Sequence, residues 1–178
     1  MDYFSKMKGT TKSPPAVGLS EIFWSWIGSF TGIIVVAYLN YAIVDKTDLV
    51  MIIGSFGASA VLIYGAVRSP LAQPRNLIGG HLISAVIGVT AYKLLPAHLM
   101  LAAPIAVATS IAAMHATKTL HPPGGATALI AVIGSQKIHN LGYMYALIPG
   151  GVGHIAMLIV ALLVNNIPIN RRYPEFWL

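Results

Sequence analysis

The chain has 178 residues, of which 56% are hydrophobic and only 9% are charged, and its mean hydropathy is +0.74. A soluble domain carries about 25% charged residues, so the composition excludes a soluble globular fold and predicts an all-α integral membrane protein. The net charge of +6 comes from basic residues scattered over short loops, which indicates membrane topology rather than nucleic-acid binding. Because the chain has no cysteine, disulfides and thiolate metal sites are excluded.

Long uncharged stretches, taken in chain order, predict the membrane spans. Residues 1–21 form a polar, cytoplasmic leader that precedes a span too long for a cleavable signal peptide. That span, 22–44, has 23 residues, more than the roughly 20 that a helix needs to cross the hydrocarbon. A transmembrane domain at 22–165 and a cytoplasmic tail at 166–178 complete the predicted organisation. The further predicted spans are 49–67, 77–95, 99–117 and 141–164.

The stretch 121–134 differs from the other spans because it contains two prolines and three glycines. Only about eleven helical residues follow Pro123, enough for roughly half a bilayer. If this stretch crosses as a broken span, six crossings place eight Lys and Arg residues inside and three outside. If the stretch 121–134 instead enters the membrane and returns to the same face, seven Lys and Arg residues lie inside and four outside. The positive-inside rule therefore favours six crossings with both termini cytoplasmic, in a bacterial inner (plasma) membrane.

An internal repeat supports this count. The segment 57–63 aligns with 125–131 at an offset of 68 residues, and each copy is followed by a glycine-histidine pair, Gly80-His81 and Gly153-His154, although the intervening lengths differ. Small-residue matches of this kind also arise by chance in membrane helices. If the repeat is structural, each half holds three crossings, and the second half is inverted relative to the first.

Discontinuous helices at matching positions of such halves meet near the midplane, and here they would start at Gly57 and Gly124. Each start would present backbone N–H groups and the positive end of a helix dipole to a small anion. The alternative is that these small residues only permit close helix packing. The candidate binding residues are Ser55, Gly57, Ala58, Ser59, His121, Gly124, Gly125, Ala126 and Thr127.

Histidines and one arginine are candidates for a pathway. A neutral imidazole at His121 can donate to an anion or carry a proton, or it can simply cap the Pro-Pro turn. His81 and His154 occupy comparable positions in the repeat, although a lone span histidine often only bonds to a neighbouring helix. Arg75 could attract an anion or anchor a helix end. No histidine spacing suits a metal, so we expect neither a metal nor another cofactor.

Three blocks of sequence resemble the HPP family of integral membrane proteins. They are His-Pro-Pro-Gly-Gly-Ala-Thr-Ala at 121–128, Gly-Ser-Phe-Gly-Ala-Ser-Ala at 54–60, and Ser-Pro-Leu-Ala-Gln-Pro-Arg-Asn at 69–76 continuing into Gly79-Gly80-His81. The family is usually described with four transmembrane helices, fewer than the six predicted here. Its plastid and cyanobacterial members are associated with nitrite transport. The resemblance therefore implies a small monovalent anion as substrate, with nitrite the first guess and nitrate, formate and bicarbonate as alternatives.

The residue types that the predicted spans lack help to separate the remaining classes of function. A proton pump or cation carrier normally places Asp or Glu in the membrane, and the predicted spans hold none. No nucleophile has an evident base, so we do not expect an enzyme. A membrane scaffold or sensor subunit without transport activity remains the alternative. The expected partners are the lipid bilayer, a small inorganic anion and a second copy of the chain, the last packed through Gly28 and Gly32.

Overall fold

The computed structural model describes residues 3–9, 11–43 and 50–178, and this part of the chain contains helices and no strands. The predicted charged loop at 45–48 lies outside the described residues. A π-helical turn, Val61–Gly65, extends the second helix, and 3-10 turns occur at Pro70–Ala72 and Gly142–Ala146. The α-helices of the described part are α1 (Leu19–Ile43), α2 (Val50–Ala60), α3 (Pro74–Leu94), α4 (Leu99–Ala116), α5 (Pro122–Ile133), α6 (Gln136–Leu141) and α7 (Val152–Val164).

Four helical segments of the described chain are long and apolar enough to cross a membrane. They are Leu19–Leu39, Pro74–Leu94, Leu99–Ala116 and Gln136–Val164. Two shorter apolar helices, Gly54–Gly65 and Pro122–Ile133, lie between them in sequence. Each stretch that hydropathy predicts to enter the membrane therefore corresponds to a helical segment whose ends differ by only a few residues.

Contacts at the two ends of α3 define the two ends of the bundle. At its start, Arg75 donates a 2.8 Å hydrogen bond to the carbonyl of Thr117, just after α4. At its last turn, the ammonium of Lys93 lies 5.4 Å from the ring centroid of Tyr143, and Tyr92 stacks on His139. We call these the Arg75 end and the Lys93 end. A helix of 21 residues separates them by about 30 Å.

The first helix and the C-terminal segment are joined through Arg171. Its guanidinium lies 2.7 Å from the carboxylate of Glu21 in α1 and donates to the hydroxyl of Ser25 at 2.8 Å. Beyond it, the Tyr173 hydroxyl donates to the Ala72 carbonyl at 2.8 Å, next to the start of α3. Burial raises the pKa of Tyr173, which therefore remains a donor. These contacts place the start of α1 and the end of the chain together at the Arg75 end.

The predicted helix break at Gly57 is wrong. Helix α2 runs without interruption from Val50 to Ala60, and Gly57 lies in its interior. An interior glycine costs a helix only about 1 kcal/mol relative to alanine, and no proline accompanies this one. The second predicted start, at Gly124, is close to the observed one, because α5 begins at Pro122. Two prolines at the first positions of α5 suit a helix start, where the missing N–H has no intrahelical partner.

A break that hydropathy does not reveal interrupts the predicted span 141–164. The chain leaves helical geometry at Ile148, which has φ −131° and ψ 119°, within the segment Leu147–Gly151. Helix α7 then starts at Val152, so that His154 lies in its first turn. The discontinuous segments of this bundle are therefore α5 and α7, not α2 and α5.

The glycine pair of α1 packs within the chain rather than against a second copy. A Cβ atom added to Gly28 would lie 2.7 Å from the ring of Tyr64, and the same ring passes over Gly32. Tyr64 is fully buried, and its hydroxyl donates to the carbonyl of Met157 in α7 at 3.0 Å. The prediction that Gly28 and Gly32 join two first spans is therefore wrong, because this face of α1 holds an aromatic ring of the same chain.

Glycines also bring α3 and α5 into backbone contact. A Cβ atom at Gly88 would lie 2.6 Å from the Ala128 carbonyl oxygen, and one at Gly80 would lie 2.6 Å from Cβ of His121. Helices can approach this closely only where one of them has no side chain. The close contact carries His121 into the interior of the bundle, beside His81 on α3.

Candidate functional site

Four helices bring five polar side chains together inside the bundle. Ser59 comes from α2, His81 from α3, Thr127 from α5 and His154 from α7, while His121 immediately precedes α5. None of the five is more than 3% exposed. Polar groups at this depth cost several kcal/mol if they lack partners, so their hydrogen bonds decide what the site can do.

Four of these side chains form one continuous hydrogen-bond chain. The hydroxyl of Thr127 lies 2.7 Å from Nδ1 of His81, and Nε2 of His81 lies 2.7 Å from the hydroxyl of Ser59. The same hydroxyl lies 3.1 Å from Nε2 of His121. Nδ1 of His121 then donates to the carbonyl oxygen of Leu71 at 2.8 Å. The chain therefore connects α5 with the 3-10 turn at the Arg75 end.

His154 is buried beside this chain but takes no part in it. Its ring stacks on that of His81, with centroids 3.4 Å apart, and on that of Phe56, at 4.4 Å. Neither ring nitrogen makes a hydrogen bond of standard geometry, and the nearest polar group is the backbone of Gly150 in the segment before α7. A buried imidazole with two unmet hydrogen-bonding groups is destabilising by roughly 1–3 kcal/mol for each group. His154 is therefore the polar side chain of the cluster that is open to a ligand.

A cavity of about 160 Å³ adjoins His154. Its polar wall consists of His81, Thr127 and His154, and the rest is apolar side chains and the glycines before α7. Tyr145 closes one side of the cluster, since its hydroxyl donates to the carbonyl of Thr127 at 3.3 Å. The cavity thus joins the unpartnered imidazole to the first member of the hydrogen-bond chain.

The structure brings together five of the sequence-predicted residues and separates the others. Ser59, His81, His121, Thr127 and His154 form the cluster. Ser55 is buried on α2, one turn before Ser59. Ala58 is exposed, and no atom lies within 4 Å of a Cβ position built on Gly57, so this side of α2 faces away from the cluster.

The first turn of α5 does not present the free backbone donors that the sequence suggests. Pro122 and Pro123 have no N–H, and the N–H of Gly124 donates to the carbonyl of His121 at 2.8 Å. Gly124 packs against Ser84, Met114 and the Gly80 carbonyl, which matches the alternative interpretation as a packing glycine. Gly125 and Ala126 are half-buried. Imidazole and hydroxyl groups, rather than backbone N–H groups, are thus the donors available in this region.

Arg75 lies at the bundle end, away from the cavity. Its guanidinium donates to the Thr117 carbonyl at the end of α4, as expected for a residue that anchors a helix end. The carbonyl of Leu71 and the ring of Phe56 are contacts that sequence reasoning missed. A main-chain carbonyl carries no sequence signal, and a phenylalanine in a hydrophobic span is indistinguishable from its neighbours.

Together, the apolar spans, the absence of strands in the described residues and the buried polar cluster define an integral membrane protein of the helical-bundle class. The chain belongs to the HPP transmembrane family, whose transmembrane region it matches over residues 14–174.

Two transmembrane proteins of Dictyostelium discoideum are among its relatives. One is 47% identical over 180 residues, covering 99% of this chain and 58% of the relative. The other is 46% identical over 182 residues, covering 99% of this chain and 64% of the relative. The chain thus spans about three fifths of the length of these relatives. No solved structure matches it significantly. Neither relative supports a bacterial source, so the membrane and the orientation within it stay predictions.

Proposed function

We propose that the protein transports a small monovalent anion across the membrane, with nitrite as the first candidate, and that it does so without catalysis. The observation that carries the proposal is His154, a buried imidazole that makes no hydrogen bond of standard geometry and lies on the wall of a small, partly open cavity. An ionisable group inside a membrane bundle is costly to keep and usually belongs to a substrate or ion pathway. Resemblance to the nitrite-associated family members supports the choice of anion.

The chemistry of the cavity suits a small anion. Its volume leaves room for a triatomic ion with a few waters. On an otherwise mainly apolar wall, the N–H of His154 is the donor that the hydrogen-bond chain does not use. No Asp or Glu occurs between Asp48 and Glu175, so no carboxylate of this long stretch can oppose a negative ligand. The proposed site therefore uses imidazole donors, in place of the helix N-termini that the sequence suggested.

We also propose six crossings. The end of α4 contacts the start of α3, whereas Tyr143 and His139, which follow α5, contact its end. The segment from 121 to 143 therefore travels from the Arg75 end to the Lys93 end although α5 is short. In the same way, α2 leads back towards Arg68, which donates to the Asn170 carbonyl beside the Arg171 contact. These contacts support a path of six helical segments with a reversal of direction between each segment and the next.

The test is uptake of nitrite into liposomes that contain the purified full chain, with nitrate, formate and bicarbonate as competitors. His154→Phe keeps an aromatic ring for the stack on Phe56 and removes both nitrogens. We expect it to lower the saturable flux about tenfold or more, since a hydrogen bond to a charged group contributes roughly 1.5–3 kcal/mol. His115→Phe, which changes an exposed histidine of α4, is the matched control and should retain wild-type flux.

Two results would contradict the proposal. If folded wild-type protein moved none of the four anions faster than empty liposomes, transport would be excluded, and a membrane scaffold or sensor subunit would be the better hypothesis. If His154→Phe carried nitrite as well as the wild type, the cavity would not be the binding site.

A further inference from the structure

We propose that Thr127, His81, Ser59 and His121 form a proton relay that carries one proton between the cavity and His121, so that the anion is transported together with a proton. This inference rests on the proposed function, because it assigns the ion to which anion movement is coupled. It depends on a separate observation, the direction in which the hydrogen-bond chain must be polarised.

The carbonyl oxygen of Leu71 fixes this direction. A carbonyl can only accept, so Nδ1 of His121 carries the proton of their 2.8 Å hydrogen bond. In a neutral imidazole the other nitrogen is then an acceptor, and Nε2 of His121 must receive the O–H of Ser59. The hydroxyl of Ser59 has no second proton to give. It therefore accepts from Nε2 of His81.

The same reasoning extends to the cavity. Since Nε2 of His81 is the donor, Nδ1 of the neutral ring is an acceptor and receives the O–H of Thr127 across 2.7 Å. Both Thr127 and His81 line the cavity. Four neutral side chains thus point their protons in one direction, from the cavity towards Leu71, and the Thr127 hydroxyl is the cavity end of the chain, with Nδ1 of His81 as the basic atom behind it.

A proton entering from the cavity can cross this chain without movement of any heavier atom. It bonds to Oγ1 of Thr127 while the original hydroxyl proton of Thr127 moves to Nδ1 of His81, and the proton on Nε2 of His81 moves to Oγ of Ser59. The original hydroxyl proton of Ser59 moves at the same time to Nε2 of His121. His81 and Ser59 end neutral, and His121 becomes an imidazolium that still donates to Leu71. The single positive charge has moved from the cavity to His121, and no electron has been transferred.

The Thr127 hydroxyl loses its acceptor in this transfer, and the structure offers it another. Once Nδ1 of His81 carries a proton, Thr127 can no longer donate to it. The Thr127 hydroxyl already lies 3.5 Å from the carbonyl of Pro123, to which it can turn. Thr127 then accepts from His81 and donates to Pro123. Both polarisations of the chain therefore leave every member with a partner.

The groups around the relay explain why an anion would need it. The titratable side chains that face it are His154, stacked on His81, and Tyr145, bonded to the Thr127 carbonyl. Neither is acidic, and the neutral cluster offers an anion no net positive charge. A proton on the relay supplies that charge, so that the anion is bound in the low-dielectric interior as part of a neutral pair. The proton returns along the relay to the cavity and leaves when the anion leaves.

The experiment records anion content and internal pH in the same liposomes, with nitrite as the probe and an inward proton gradient as the driving force. We expect about one proton to enter per nitrite in the wild type, because a lone charge is expensive inside the membrane. Ser59→Ala removes the hydroxyl that joins the two imidazoles. It should lower the ratio of protons to nitrite by about fivefold or more, whatever nitrite flux remains.

Ser110→Ala is the matched control. Ser110 is another fully buried serine, on α4, and its hydroxyl has no partner, so its removal should leave the ratio unchanged. Nitrite movement without proton movement in the wild type would overturn the relay and leave the proposed transport intact. An unchanged ratio in Ser59→Ala would overturn it too.

A second measurement separates the relay from transport itself. Nitrogen-15 NMR of the full chain in bilayers distinguishes protonated from bare imidazole nitrogens. The relay requires a proton on Nδ1 of His121 and on Nε2 of His81, with the other two nitrogens bare at neutral pH. The opposite tautomer at His81 would overturn the proposal. If liposomes showed no anion flux, the proposed function would fail, and the NMR pattern alone would decide whether the polarised chain exists.

Discussion

His154 occupies a position that an apolar ring could fill. Phe56 and His81 cover its two faces, and neither nitrogen makes a hydrogen bond of standard geometry within the protein. An unpaired buried polar group is destabilising. The proposed role as an anion ligand would explain why a histidine occupies this position.

The stability cost of the unpaired imidazole at His154 can be measured. We expect His154→Phe to raise the free energy of unfolding by about 1 kcal/mol in detergent, since the variant removes two unmet polar groups and keeps a ring against Phe56. Thermal unfolding followed by near-ultraviolet circular dichroism gives the comparison, with His115→Phe as the control. A variant less stable than the wild type would mean that His154 is satisfied by an internal partner.

The cluster residues could be recognised in the sequence because they are polar within apolar stretches. Ser59, His81, His121, Thr127 and His154 all stand out in this way. Their mutual hydrogen bonds could not be predicted, since these depend on how α2, α3 and α5 pack. The Leu71 carbonyl, which orients the whole chain of hydrogen bonds, is a main-chain group and has no signature of its own.

Among the elements, helices α3 and α5 form the framework of the site. Their backbones meet where Gly88 lies opposite Ala128 and where Gly80 lies opposite His121. This contact places the imidazoles of His81 and His121 within hydrogen-bonding distance of the Ser59 hydroxyl. Hydropathy predicts the apolar helical segments, four of which are long enough to cross a membrane, because the length of a spanning stretch is set by the bilayer. It does not reveal breaks within them. Gly57 is tolerated inside α2, whereas the segment before α7 leaves helical geometry at Ile148.

The status of Gly57 as a helix-interior residue leads to a test. Gly57→Ala should raise the free energy of unfolding by about 0.5–1 kcal/mol, because alanine is the better helix former and no atom lies within 4 Å of the new methyl group. Gly88→Ala is the contrast. Its methyl group would meet the backbone of Ala128, so we expect a loss of about 1–3 kcal/mol.

Thermal unfolding of both variants in the same detergent provides the measurement. A destabilised Gly57→Ala would indicate that this position is not an ordinary helix interior. That result would favour the predicted helix start at Gly57.

The whole molecule shows the pattern of long, short and long helical segments twice. In the first half these are α1, α2 with its π-helical turn, and α3, and in the second they are α4, α5 and the segment ending in α7. His81 and His154, which the predicted repeat pairs through their preceding glycines, stack face to face. A two-fold axis relating inverted halves would produce such a contact, but the two histidines are 73 residues apart rather than 68, and the repeat stays a prediction.

Single cysteines can test the six crossings, because the sequence contains none of its own. Cysteine introduced at Lys118 or Arg172 should react with a membrane-impermeant maleimide from one side of sealed vesicles. Cysteine at Ser135 should react from the other side. All three positions are exposed. Labelling of all three from the same side would rule out the crossing of α5 and favour a four-span arrangement.

The long stretch without a carboxylate, from residue 49 to 174, has a consequence for the electrical behaviour of the proposed pathway. Its ionisable side chains near the cavity are imidazoles and a buried tyrosine. In the proposed relay the site is either neutral or, when it holds a proton, positive, and no carboxylate makes it negative. Rejection of sodium and potassium would then need no size filter, because no negatively charged group at the site would attract a metal cation.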